Sequence, residues 1–159
     1  MLAHAHTLHH GHELETAAQL ALENAGEQWT SLRANIFKIL AENDKPASAY
    51  DIADQLSRRD DRRVAANSVY RILDLFVATN LAKRIESANA YIVNAHPGCV
   101  HDCIFLLCDS CGAVRHVDED SLSFQVRKTA HEHGFSNFRP IIEVRGICDA
   151  CASISAGAA

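Results

Sequence analysis

Cys108 and Cys111 flank Asp109-Ser110, and Cys148 and Cys151 flank Asp149-Ala150, so the sequence carries two Cys-x-x-Cys knuckles with 36 residues between them. Two such knuckles let four thiolates converge tetrahedrally on one Zn²⁺ at about 2.3 Å, the closed geometry of a structural site. The rival chemistries make different demands. A thioredoxin-like redox pair needs one Cys-x-x-Cys after a strand and opening a helix, and a disulfide scaffold suits a shorter, secreted chain with dispersed cysteines. Here all six cysteines, at 99, 103, 108, 111, 148 and 151, lie in the second half. The expected product is a structural zinc that clips the start of a small domain to its end.

His96, Cys99, His101, Cys103 and His116 form a second, mixed set of five within 21 residues. Imidazole with thiolate suits Zn²⁺, whereas iron or manganese would want more carboxylate or water oxygen. A site drawing ligands from a hinge can couple metal occupancy to domain geometry. Since His101 and Cys103 are two apart, an extended segment puts them on one face. The run His4, His6, His9, His10 and His12 has no apolar partners and reads as a tail that binds metal adventitiously. No Ser-His-Asp arrangement, phosphate loop or His-Glu-x-x-His pattern is present, and Cys99 and Cys103 lack a neighbouring Lys or Arg to depress a thiol pKa. No enzyme and no organic small-molecule substrate are expected.

These ligands need a scaffold, and 159 residues with 48% apolar content are enough for one comfortable domain or two small ones. A formal charge of −5 excludes a wholesale polycation wrapped around nucleic acid, but Arg58 to Arg84 holds seven basic residues against three acidic ones. No stretch approaches the roughly 20 apolar residues of a membrane span and Met1 to His12 has no apolar signal core, so the cytoplasm, and no membrane partner, is the expectation. Between residues 13 and 95 there is neither Cys nor His. That divides the chain into a metal-free and a metal-bearing half.

In the first half, Leu14, Ala17, Ala18, Ala21 and Leu22 give a helical stripe ending at Gly26. Thr30 or Ser31 caps a second helix over Leu32, Ile36, Ile39 and Leu40. Ser48 with Asp51 forms a capping box for a third, inward at Ile52, Ala53 and Leu56. After a charged loop Ser57 to Arg63, a fourth helix turns Val69, Ile72, Leu73 and Phe76 inward and leaves Asn67, Ser68, Tyr70 and Arg71 facing elsewhere. Two short strands, Leu81 to Glu86 and Ala90 to Val93, follow. Helix, turn, helix and hairpin make a winged helix-turn-helix, whose second helix lies in the DNA major groove while basic loops such as Arg62-Arg63 meet phosphates. The second half reads as strands at Ile104 to Leu107, Ala113 to Val117 and Ile141 to Arg145, with a helix from Leu122 to His133 inward at Leu122, Val126, Thr129 and Ala130. The fold class is therefore α+β. The expected divisions are a tail at 1–12, a winged-helix DNA-binding domain at 13–94, a hinge at 95–98 and a zinc-binding dimerisation domain at 99–159.

Asn67-Ser-Val-Tyr-Arg-Ile-Leu, Leu81-Ala-Lys-Arg-Ile-Glu, Cys108-Asp-Ser-Cys-Gly and Gly146-Ile-Cys-Asp-Ala-Cys together make the chain, from about Leu14 to Cys151, resemble the Fur-family metalloregulators, and within them the zinc-sensing branch. The resemblance implies a homodimer with an N-terminal winged helix and a C-terminal α/β dimerisation domain, repressing metal-homeostasis genes on double-stranded operator DNA when metal is bound. It implies one structural zinc per chain on Cys108, Cys111, Cys148 and Cys151, base contacts from Tyr70 and Arg71, and one regulatory zinc per chain. For the regulatory site it transfers His101 and His116, while Lys83 and Asn94 stand where relatives of this branch carry ligands. The expected set is therefore His96, His101, Cys103 and His116, with Cys99 the rival of His96. The alternative within the family is a sensor of iron, manganese or peroxide.

Overall fold

The structure is a computed structural model describing residues 11–97, 102–137 and 139–156; Cys99, His101 and the histidines of the tail before Gly11 lie outside them. The chain divides into two compact units, Met1–Val100 and His101–Ala159.

The first unit opens with α1 (Gly11–Asn24), where Leu14, Ala18 and Leu22, four apart, form one buried stripe. In α2 (Ser31–Glu42) the cap is Thr30, whose hydroxyl accepts the Arg33 N–H at 3.4 Å. In α3 (Ala49–Arg59) the capping box is complete, with Asp51 N–H donating to Ser48 Oγ at 3.1 Å and Ser48 N–H to Asp51 Oδ2 at 3.0 Å. The charged loop expected from Ser57 is shorter than its composition suggested, because Ser57, Arg58 and Arg59 complete α3. Good helix-forming arginines and a Ser57 hydroxyl donating to Ala53 O at 2.7 Å extend it by one turn.

The fourth helix, α4 (Ala66–Ala78), buries Val69, Leu73 and Phe76. Its end is set by Asn80, held at φ 62. That turn lets Leu81 N–H donate to Phe76 O at 2.7 Å and Asn80 N–H to Val77 O at 3.2 Å, the paired bonds of a Schellman motif, with the buried Leu81 following. The wing is β1 (Ala82–Ile85) antiparallel to β2 (Ala90–Val93), with Ala82 opposite Val93 and Ile85 opposite Ala90. Asn89, at φ 46, makes the reversal, and Ala47 pairs with Tyr91 to tie the wing to the α2–α3 connection. Trp29 lies edge-on to Phe37 at 5.7 Å and stacked on Phe76 at 6.4 Å, and Phe37 meets Phe76 at 5.9 Å. The backs of α2 and α4 are thus joined through aromatic packing worth about 0.5–1.5 kcal/mol per pair beyond area burial.

The second unit is a three-stranded sheet with β3 (Ile104–Cys108) in the centre. On one side β4 (Val114–Val117) pairs antiparallel, and on the other β5 (Ile142–Gly146) pairs parallel. The parallel pairing requires a crossover. It contains α5 (Asp120–Glu132), and the unit ends in α6 (Asp149–Ala156), a helix the sequence pattern did not announce. The inward stripe expected on α5 is corrected: Leu122 and Val126 are 44% and 38% exposed and Ser123 is the buried residue. A unit this small covers little of α5 by itself, so the apolar stripe faces outward. No described helix is long and apolar enough to cross a membrane.

Phe76→Ala removes the ring shared by α2 and α4 and should destabilise the first unit by about 3–5 kcal/mol. Trp29, the one tryptophan of the chain, reports it. Its fluorescence transition in urea should move to lower denaturant with an unchanged slope; an unmoved midpoint would refute the packing role.

Candidate metal centre and nucleic-acid face

Three local structures bring the cysteines together. Cys108 closes β3, and its hairpin turn is fixed by Cys108 N–H donating to Ala113 O and Gly112 N–H donating to Cys108 O, both at 2.9 Å. Gly112 sits at φ 72, a backbone conformation open to glycine at no steric cost, so the chain can turn straight after Cys111. The parallel register sets Cys108 beside Gly146, with Asp109 N–H donating to Gly146 O at 2.8 Å, which delivers the second knuckle to the first. Cys148 then precedes α6 and Cys151 stands in its first turn, where the positive end of the helix dipole favours thiolates.

The four sulfurs lie within 4.8 Å of one another, with Cys111 and Cys148 3.9 Å apart. No disulfide joins any cysteine among the described residues. A tetrahedron with Zn–S bonds of 2.3 Å has edges of about 3.8 Å, so the donor set and its spacing fit a structural zinc. Asp109 is held outside the cluster by Arg145, whose Nε donates to Asp109 Oδ1 at 2.8 Å. N–H groups of Cys148 and Cys111 directed at its sulfur pull the Cys108 thiol down to about 6; the Cys148 N–H donates to it at 3.4 Å. For Cys151 the Ser110 hydroxyl acts to lower the pKa, but the surrounding sulfurs of Cys148 and Cys111 prevail and hold it up at about 11. Four clustered thiols resist losing four protons unless a cation enters.

The second predicted ligand group is spread over both units. In the second, His116 on β4 stands opposite Phe105, ring centroids 5.5 Å apart, and its Nε2 lies 2.9 Å from Asp118 Oδ1. Strand alternation puts Cys103 on the face of Phe105, hence on that of His116. Cys103 is buried, and its sulfur belongs to no group of three ligand atoms within 4.8 Å among the described residues. In the first unit His96 is buried, its carbonyl accepting from Asn94 Nδ2 at 3.3 Å and its N–H donating to Asn94 Oδ1 at 3.2 Å. Lys83 and Asn94 make hydrogen bonds here: Lys83 Nζ donates to Asn80 Oδ1 at 2.6 Å, and Asn94 Nδ2 to Asn80 O at 2.7 Å. Sequence reasoning missed Asp118, for which the signal was its place two residues beyond His116, on the same strand face.

On the first unit, α4 presents Asn67, Ser68 and Arg71 to solvent, and Arg62 and Arg63 are exposed just before it. Among the described residues none of these three arginines has an acidic partner, whereas Arg59 is paired with Glu42 at 2.6 Å and Arg84 with Glu86 at 3.2 Å. Ala65 gives α4 no side-chain cap, and while the Ser68 N–H donates to Ala65 O at 3.0 Å, the N–H groups of Ala66 and Asn67 in the first turn have no intrahelical acceptor. Tyr70 is half-buried because its ring meets Tyr50 of α3 edge-on, centroids 5.9 Å apart. Tyr50 is 65% exposed and also escaped sequence reasoning, although an aromatic outside the Ile52, Ala53, Leu56 stripe marked it.

Replacing Cys108, Cys111, Cys148 or Cys151 with Ser should abolish this zinc and unfold the second unit, since structural zinc binding is largely folding free energy. Acid should do the same. Without an ion the Cys108 thiol is already lowered from the ordinary value of 9.0 to about 6, and as pH falls protons compete with Zn²⁺ for it and its three neighbours. Metal analysis after gel filtration checks both; a Cys108→Ser chain with full zinc content would refute the assignment.

The Ferric uptake regulator family pattern matches residues 24–144. The zinc uptake regulation protein of Escherichia coli (strain K12) is 27% identical over 145 residues, 91% of this chain and 84% of that protein. Its namesake in Mycobacterium tuberculosis (strain CDC 1551 / Oshkosh) is 30% identical over 129 residues, 81% of this chain and 98% of that protein. Among solved structures, a zinc uptake regulator complexed with zinc and DNA superposes with a TM-score of 0.84 at 26% identity, covering 91% of this chain and 96% of that one. The knuckles, the two-faced fourth helix and the wing accordingly have one home: the chain belongs to the ferric uptake regulator family.

Proposed function

We propose that this chain is a zinc-responsive, DNA-binding transcriptional repressor of zinc-uptake and homeostasis genes, active in the cytoplasm as a zinc-loaded homodimer. The observation that carries the reading is the coexistence, in one chain, of four sulfurs spaced for zinc and an exposed Arg71 on α4 that, with Arg62 and Arg63 just before the helix, has no acidic partner among the described residues. Likeness to zinc uptake regulators, one of them solved with zinc and DNA, points the same way.

In this reading the Cys108, Cys111, Cys148, Cys151 zinc is permanent and a second, exchangeable zinc is the signal. His116 with Asp118, supported by their 2.9 Å approach, is its core on the second unit, and Cys103 shares their face. His101, next in sequence to Asp102, completes that group in the proposal. The partner copy covers the outward stripe of α5 made by Leu122 and Val126, 44% and 38% exposed. A dimer of a −5 chain approaches DNA through local fields rather than net charge, which makes the Arg62, Arg63 and Arg71 face decisive.

The deciding experiment selects duplexes from a random pool with the zinc-loaded dimer, then titrates binding to the selected duplex against Zn²⁺, Fe²⁺ and Mn²⁺. Zinc at the lowest free concentration should switch binding on; activation by iron or manganese alone would overturn the zinc assignment. Arg71→Ala should weaken binding by about 1–3 kcal/mol with relaxed base preference. Arg62→Ala should weaken all duplexes alike and shallow the salt slope by about 1 unit. Tyr50→Ala should lower affinity without unfolding the first unit; full affinity in all three variants would refute the α4 face as the DNA surface.

A further inference from the structure

The segment leading into β3 is gripped from α5. Arg127 forks onto Asp102, its Nε donating to Asp102 Oδ2 and its Nη2 to Asp102 Oδ1 at 2.6 Å. The Asp102 side chain is only 12% exposed, and the guanidinium pKa is raised, chiefly by its hydrogen bonds to that carboxylate. A planar fork on a carboxylate fixes direction as well as distance, which an ammonium does not. Both carboxylate oxygens are thereby engaged by Arg127, which ties Asp102 to the helix.

Asp102 is flanked by His101 and Cys103. Alternation along the chain assigns Asp102 to one face and Cys103, with Phe105, to the other, where His116 of β4 stands with Asp118 just beyond the strand. A slip of one residue would exchange the two faces, turning Cys103 away and Asp102 toward His116. The segment precedes the first ladder pair, Ile104 with Val117, so the sheet does not fix its rotation by itself. The Arg127 fork does.

We propose that Arg127 is the positioning residue of the exchangeable zinc site: by holding Asp102 against α5 it presents Cys103 on the His116 and Asp118 face and ties that segment to the helix with the outward apolar stripe. This rests on the second-site reading given above. Zinc taken up there is then registered at α5 through a contact that is not itself a ligand, as outer partners of metal sites do when they orient the inner ones.

The test uses the full-length chain with its four-thiolate zinc in place, in wild type, Arg127→Ala, Asp102→Asn and the double variant. Affinity for the second equivalent of Zn²⁺ is measured by competition with a colorimetric chelator, and Co²⁺ at that equivalent reads thiolate ligation by its charge-transfer band. Either single variant should keep the first zinc and its helical circular dichroism, lose about 10- to 100-fold in second-site affinity and weaken the band. The double variant should be no worse than either single one, because one unit is broken in each. Second-site affinity within twofold of wild type in both single variants, or additive losses, would overturn the proposal while leaving the site itself standing. Should Arg127→Ala fail to fold, Asp102→Asn, which keeps the shape and removes the charge, decides alone. A wild-type chain that takes up one zinc only would overturn the second site and with it this assignment.

Discussion

Four thiolates do not gather of their own accord. Two unit charges 4 Å apart repel by about 4 kcal/mol at an effective dielectric of 20, so a pocket holding four sulfurs within 4.8 Å of one another is stable as thiolates only around a cation. The second unit is organised around that constraint. The parallel seating of β5 on β3, the glycine turn after Cys111 and the start of α6 each deliver one part of the set, and none of them encloses a large core. Its few buried apolar side chains, among them Ile104 and Phe105, lie on the central strand. Where the first unit is held by packing, this one is arranged around four sulfurs spaced for an ion.

The first unit solves a different problem, which is to keep one helix rigid while leaving half its surface bare. Val69, Leu73 and Phe76 anchor α4 into the aromatic and aliphatic core, and the Schellman turn at Asn80 and Leu81 joins it directly to the wing. Its outer face can then remain polar and unpaired. Arg59, Lys83 and Arg84 are occupied by contacts within the unit, so a count of basic residues overstates the charge offered to phosphate; Arg58, Arg62, Arg63 and Arg71 are what remains facing outward.

Most of this architecture is legible in the sequence because local signals agree with the global fold. The stripe of α1, the capping box at Ser48 and Asp51, the inward set of α4 and the paired knuckles all stand in the structure near where spacing puts them. Two kinds of feature resisted. The direction of α5 could not be read, because periodicity reports which residues share a face and not whether that face meets the chain's own core or another copy. The roles of Asp102 and Asp118 were also hidden, since an acidic residue among histidines and cysteines reads alike as ligand, brace or solvated charge. Partners distant in sequence, such as Arg127 for Asp102, decide between them.

The parallel β3–β5 pairing also carries a temporal consequence. Its two strands are separated by the whole hairpin and α5, and two of the four sulfurs follow the second strand. During synthesis the first unit, whose contacts are mostly local helix–helix packing, can fold while the later residues are still being made. The second cannot assemble until Cys148 and Cys151 have left the ribosome. In the proposed reading, capture of the structural ion is thus a late event in synthesis, and chains made without zinc would have a packed first unit and an open second one, exposed to proteases rather than merely inactive.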